Sequence, residues 1–329
     1  MLSKLRQLCL AVGIVGWTGL CSPLCGTEVV LVHFGPALPS YLLTCVEQVR
    51  VWSPNVRITV LAERVALDPA TDQLRAFGAT GVAMEDEPKS TVYQKWLAKN
   101  RLGNGFWNFA TRRFLALGDY IARGDLRDVI HLENDNLLYA DAEWLAKRLS
   151  NLYPNMAATF DADKRVIPGI VYFRTPQSSA RLAAHLLKVT DRGLNDMESL
   201  ADFYAARQID HLPVLPKEYG QHHPLVNHSG VGTKRPEAYA KHSDSLGGIF
   251  DAAAIGQYLG GIDPIHNQAN SVGFINETAI YQADKMEIAW RRDDQDRTYP
   301  VVIEGPKEYR IFNLHIHSKN LQPFMSRYR

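Results

Sequence analysis

Short apolar runs rich in β-branched residues recur along this chain, and each stops at a polar or glycine-containing boundary. Glu28 to Phe34 is the first, followed by Gly35 and Pro36. Pro39 then marks a helix start, since proline is tolerated in the first turn, and Leu42, Val46, Val49, Val51 and Trp52 supply an apolar side. After Ser53-Pro54-Asn55, the run from Val56 to Leu61 reads as a second strand. That strand-helix-strand order predicts a parallel pair with a right-handed crossover. A helix over about 108–123 (Phe114, Leu115, Leu117, Tyr120, Ile121) leads through Gly124-Asp125 into another apolar run, which ends in Glu133 and Asp135. Val166 to Phe173 reads as a strand with a helix over 179–189 behind it. Leu194 to Glu198 opens a further helix, with Asn195 or Asp196 suited to the N-cap. Residues 216–247, rich in Pro, Gly and His, read as a long surface loop.

Composition adds limits. The 329 residues are 46% hydrophobic and 22% charged, enough for a large core in one domain or two closely fused ones. A formal net charge of +1 gives no footprint for nucleic acid. In the N-terminal segment, Lys4 and Arg6 precede an uncharged run from Gln7 to Gly26, the pattern of a secretory signal peptide. An uncleaved membrane anchor is the second reading, because about 20 apolar residues can span a bilayer. A buried N-terminal helix is the third. Cys9, Cys21 and Cys25 lie in this leader, which leaves Cys45 alone in the body as a buried small hydrophobe without a disulfide framework. Asn227 and Asn276 head glycosylation tripeptides that matter only in a eukaryotic secretory route.

Chemistry concentrates at strand ends. In an extended strand, side chains at i and i+2 project from one face, about 7 Å apart along the chain, so Glu133 and Asp135 can converge on a divalent cation while Asn134 points away. Like charges at the end of a buried strand are costly, and a metal relieves that cost. The plain alternative is a strand running into a solvated acidic turn. His33, Phe34 and Glu63 end the other two runs, and ligands in parallel sheets collect beyond the carboxyl ends of strands. Near the C-terminus, the strand-like Tyr309 to Leu314 leads into His315-Ile316-His317-Ser318-Lys319, where the two histidines are again two apart. One imidazole joining Glu133 and Asp135 makes a mixed oxygen/nitrogen set suited to Mn²⁺, with Mg²⁺ less favoured. His222, His223, His228 and His242 lack a spaced ligand pattern and read as loop histidines.

These residues together resemble the metal-dependent GT-A glycosyltransferases. The resemblance spans most of residues 28–325 and is carried by His131 to Tyr139, by Phe250 to Gly261, and by Asn313 to Lys319. The family's acidic motif is usually Asp-x-Asp, and here it is Glu133-Asn134-Asp135, which keeps two carboxylates but lengthens one arm. The resemblance implies a GT-A type fold, an α/β Rossmann-like mixed sheet, largely parallel and flanked by helices, with an irregular C-terminal acceptor half. It implies one domain over 27–329 after the leader at 1–26, with a nucleotide-sugar-binding half at 27–141 and an acceptor-binding half at 142–329. The metal would be held by Glu133, Asp135 and a histidine, with His315 favoured over His317 by its distance from Lys319. Lys319 would contact the diphosphate, Arg113 would lie near the nucleotide, and His33, Phe34 and Glu63 would flank the base and ribose. Asp251, Asp196 and Glu277 are the candidates for a general base, although Asp251 is also placed to cap a helix starting at Ala252.

The implied activity is transfer of a sugar from a nucleotide-sugar donor, UDP-linked, to a glycan, lipid or protein acceptor, with Mn²⁺ or Mg²⁺ assisting departure of the diphosphate. Two alternatives come from other classes: a nucleotide-sugar-binding module without turnover, and a metal-dependent phosphate-ester hydrolase. The leader argues for the secretory pathway or a membrane, in a Golgi-type lumen if the source is eukaryotic and in the cell envelope if it is bacterial.

Overall fold

The computed structural model describes residues 26–103, 105–220, 222–227, 233, 235–262 and 272–326. The leader at 1–25, with Cys9, Cys21 and Cys25, lies outside the described residues, as does His228. Among the described residues, no helix is long and apolar enough to cross a membrane.

The strands follow in chain order as β1 (Glu28–His33), β2 (Arg57–Ala62), β3 (Ala79–Ala83), β4 (Val129–Leu132), β5 (Asn136–Leu138), β6 (Met156–Ala162), β7 (Arg165–Phe173) and β8 (Asp210–His211). After them come β9 (Gly248–Ile249), β10 (Glu287–Arg292), β11 (Thr298–Glu304), β12 (Lys307–Ile311) and β13 (Asn313–His315). A seven-stranded sheet runs in the order β3-β2-β1-β4-β7-β6-β8. β1 is parallel to both β2 and β4, and β7 alone runs against its neighbours. This is a mixed, largely parallel α/β sheet of Rossmann-like kind. β1 and β4 are apolar almost throughout because helices cover both faces, the usual condition for parallel strands.

The expected elements are present with shifted ends. Pro39 is the N-cap of the helix Ser40–Trp52, whose buried side includes Leu42, Cys45, Val46 and Val49. The helix Phe106–Arg123 begins earlier than the apolar pattern suggests and packs against the helix Pro176–Val189. Asn195 is the cap of the helix Asp196–Ala205, in a capping box with Glu198, so Asp196 is released for another role.

Three local expectations are corrected. Glu133 and Asp135 do not lie on an extended strand: β4 stops at Leu132, and a turn closed by Asn136 N–H on the Glu133 carbonyl (3.1 Å) leads into β5. The strand expected over 309–314 is broken at Phe312 into β12 and β13, which belong to different sheets. The loop expected over 216–247 contains the helices Pro236–Ala240 and Ser243–Leu246. The seven-stranded sheet also draws strands from both sides of residue 141, so the two expected halves share one core.

The β13–β5 pairing positions the candidate site. The pair is antiparallel, with His315 opposite Asn136 and Asn313 opposite Leu138. Ile316 N–H donates to the Asp135 carbonyl at 2.9 Å, which extends the ladder past the turn. The C-terminal segment is thereby laid against the end of β4.

Candidate active site

Beyond the carboxyl ends of β1 and β4 lies a cleft of about 400 Å³. Glu133, Asp135, His315, His317, Lys319 and Arg113 all line it. His33, Phe34 and Asp196 line it as well. Most of the residues singled out from the sequence therefore meet in one place.

At its floor, His315 Nε2 is 3.1 Å from Glu133 Oε2 and 3.1 Å from Asp135 Oδ1. One ligand atom from each of these residues falls within 4.8 Å of the others. Adjacent ligands on an octahedral ion with bonds of about 2.1–2.2 Å are about 3.0–3.1 Å apart, so each of the two nitrogen–oxygen separations matches neighbouring ligands on such an ion. The trio fits a hard divalent cation that accepts nitrogen. His317 stands beside the trio, its ring 4.6 Å from that of His315 and its Nδ1 2.6 Å from Gln257 Nε2.

Charge in the cleft is balanced. Arg113 pairs with Glu133 and also reaches Asp196 Oδ2 at 2.8 Å, and Lys319 pairs with Asp135. Burial alone would raise both metal-facing carboxyls. The Arg113 and His315 charges overcome it at Glu133, which is lowered, and Lys319 and His315 hold Asp135 well below its usual range. At His315 burial opposes the charged form, yet the adjacent Asp135 and Glu133 leave it raised. Burial and then the His315 charge push His317 down to about 4, so it is neutral at physiological pH. Asp196 is raised by burial, partly offset by Arg113.

The backbone around His315 is tightly built. Asp251 Oδ2 accepts the His315 N–H at 2.9 Å and the Gly256 N–H at 2.8 Å. A Cβ on Gly169 would fall 2.7 Å from His315 Nδ1 and 2.6 Å from Asn136 Nδ2, closer than real side chains approach. Glycine at 169 therefore makes room for the imidazole.

Several expected roles need correction. Asp251 is fully buried, and its two oxygens accept backbone N–H groups from Ala254, Ile255, Gly256 and His315. It does not line the cleft and is not available to an acceptor hydroxyl; burial raises its carboxyl. The helix it caps begins at Ile255, after Ala253 adopts a left-handed φ of 60°. Glu277 is exposed and away from the cleft, with its carbonyl accepting from Asn227 Nδ2. Glu63 likewise does not line the cleft, although its charge acts on His33, whose pKa burial lowers. Arg113 faces the cleft but is already committed to two carboxylates. Asn134 does not point away: its Nδ2 donates to the Val32 carbonyl at 3.2 Å, and it lines the cleft. His222, His223 and His242 lie outside the cleft, with His223 stacked on Tyr219 at 3.8 Å.

No protein-family model matches this chain, and no curated protein does. Among solved structures, it is similar to the galactosyltransferase LgtC in complex with donor and acceptor sugar analogs, at 15% identity and a TM-score of 0.38, covering 56% of this chain and 73% of that one. Mouse xyloside xylosyltransferase 1 in its apo form is similar at 9% identity and a TM-score of 0.40, covering 60% of this chain and 87% of that one. A cytidylyltransferase from Leptospira borgpetersenii serovar Hardjo-bovis is similar at 10% identity and a TM-score of 0.35, over 57% and 75% of the two chains. Each likeness is one of architecture.

Sequence reasoning missed part of the cleft. Tyr41, Ile167, Pro168 and Met197 are ordinary apolar or aromatic positions in a linear reading. Gln257, which meets His317, lies within a block already singled out. Phe106, Trp107 and Phe109 had a readable signal: aromatic residues crowd the start of the helix Phe106–Arg123.

Proposed function

We propose that this protein is a metal-dependent glycosyltransferase that moves a sugar from a UDP-linked donor to an acceptor hydroxyl. One observation carries the reading: Glu133, Asp135 and His315 bring one ligand atom each within 4.8 Å of one another beside Lys319, at the strand ends of an α/β sheet. A bound Mn²⁺ would act as a Lewis acid toward the diphosphate on which negative charge grows as the anomeric bond breaks. Glu133, Asp135 and His315 would hold that ion, and Mg²⁺ is the second choice because nitrogen ligation favours Mn²⁺.

The chain's own residues supply the remaining work. Lys319 sets a cation at the edge of the metal-facing carboxylates, where it can pair with a phosphate oxygen. Arg113, buried between Glu133 and Asp196, orients both acids by its planar fork. His33 at the end of β1 offers a polar contact to the base and ribose, and Phe34 beside it, stacked on Phe109, shapes the wall of the cleft. Asp196 is the one expected general base that lines the cleft, so it takes that role in an inverting transfer. The leader would deliver the body to a secretory compartment or the cell envelope, which protease protection on intact membranes tests.

Hydrolysis of UDP-sugars with Mn²⁺, comparing wild type with Asp135→Ala, tests the reading. Slow donor consumption that disappears in the variant is expected. Failure to bind or consume any UDP-sugar with metal present would overturn the transferase.

A further inference from the structure

A transferase must seat two substrates, and the cleft's volume of about 400 Å³ is near the low end for a pocket holding one small ligand. The donor's diphosphate belongs at the floor, beside Glu133, Asp135 and His315. The second substrate must therefore lie at the mouth. The mouth is aromatic. Phe106, Trp107 and Phe109, on the first turn of the helix Phe106–Arg123, line the cleft yet are 68%, 41% and 39% exposed. Positions 106, 109 and 113 share one side of that helix, so the aromatic face runs down toward Arg113. Large aromatic side chains left open on the lip of a cleft mark a binding surface rather than core.

Building on the transferase reading, we propose that Phe106, Trp107 and Phe109 form the acceptor subsite and that its occupant is a neutral sugar ring.

The ligand class follows from the polar atoms that share the cleft with the aromatics. Asp196 is 2% exposed, lines the cleft, and has no hydrogen-bond partner on Oδ1; Asn134 Oδ1 is also without one. Both atoms are acceptors, so each calls for an O–H or N–H donor. A pyranose offers an apolar C–H face to an indole and hydroxyl donors at its rim. An acyl chain would cover the aromatics but leave both oxygens unpaired, at a desolvation cost. An anionic sugar would bring a carboxylate or phosphate against Asp196. Phe34 is itself covered, by Phe109 at 5.7 Å on one side and by the Arg112 guanidinium at 4.5 Å, which leaves Phe106 and Trp107, set edge to face at 5.0 Å, as the most exposed rings of the cleft.

The test uses the full chain loaded with Mn²⁺ and UDP, and a panel of neutral disaccharides (lactose, maltose and cellobiose) followed by saturation-transfer NMR. Ring-proton saturation of at least one panel member is expected. Trp107→Ala should weaken that binding at least tenfold, and Trp107→Phe, which keeps a stacking face, should restore most of it. Mn²⁺–UDP affinity by calorimetry should change less than twofold in either variant. Trp107 is partly exposed, so neither change threatens the fold. The proposal is overturned by disaccharide binding that ignores Trp107→Ala, or by wild type that binds Mn²⁺–UDP but no disaccharide. Trp107-dependent binding to phosphatidylcholine vesicles in place of sugar overturns it too. Loss of Mn²⁺–UDP binding in wild type is a different result, and strikes the transferase reading itself.

Discussion

Asp251 Oδ2 accepts the backbone N–H of His315 across 64 positions of sequence, at 2.9 Å. Its other oxygen accepts Ala254 N–H and Ile255 N–H, each at 2.9 Å, so one buried carboxylate ties a helix start to the strand that presents the imidazole. Asp251 is a positioning residue. Asp251→Ala would orphan these buried donors together, and a loss of about 3 kcal/mol in urea unfolding is expected. Asp251→Asn, which keeps one acceptor oxygen, should recover part of it. Equal stability of Ala and wild type would show that the tie does no work.

Metal binding is the second expectation. Outer-sphere changes cost about 10–100-fold in metal affinity, so deletion of a ligand in Asp135→Ala should cost about 100-fold or more for Mn²⁺ by calorimetry. Wild type in Mn²⁺ at 100 times Kd should gain about 2.7 kcal/mol of stability, and the variant should gain about 0.4 kcal/mol or less at that concentration. Equal Mn²⁺ titrations for both proteins would remove the trio as the site.

The contact between Gly169 and the His315 ring gives a sharper test of geometry. Gly169→Ala forces a methyl to within 2.7 Å of Nδ1 unless the imidazole shifts. A stability cost of about 1–3 kcal/mol is expected from overpacking. Mn²⁺ affinity should fall about tenfold besides, because the ring that moves is a ligand. Undiminished Mn²⁺ affinity would mean that the ring is free to adjust.

Arg113 carries two acids, the buried Asp196 and the half-buried Glu133. Arg113→Ala leaves Glu133 and Asp196 without their shared cation, and breaking buried pairs in this way costs about 3–5 kcal/mol. Arg113→Lys restores the charge but not the fork, so an intermediate stability by urea denaturation is expected. A lysine variant as stable as wild type would reduce Arg113 to a point charge.

The pH dependence of stability has a contributor far from the cleft. His211 is buried against Phe160, Tyr204 and Tyr239, and burial, then the Arg235 charge, push its pKa down from 6.5 to about 4. Between those values the unfolded chain holds a proton that the folded chain does not. The stabilising effect is therefore complete above about pH 6.5 and is lost as pH falls toward 4, by on the order of 3 kcal/mol in all. His211→Phe should flatten the unfolding free energy across that window. An unchanged slope would assign the acid sensitivity to other groups.

By itself the sequence determined the strand-helix alternation of the first half, because β-branched runs and apolar helix sides are local patterns that survive any packing. It also exposed Glu133, Asp135, His315 and Lys319, since each is a polar group at or just beyond the end of an apolar run. Tertiary structure alone decided how they meet. The carboxylates converge through a turn rather than an extended strand, because the chain turns over residues 133–136 before β5 pairs with β13. That pairing, and not any spacing in the chain, sets His315 opposite Asn136. Asp251 and Asp196 read alike as acids near helix starts; packing buried one among backbone donors, while the Asn195 cap freed the other to face the cleft. Arg113's commitment to both acids and the exposure of Phe106 and Trp107 belong to the same class. Each depends on which surfaces long-range contacts cover, and linear periodicity does not record that.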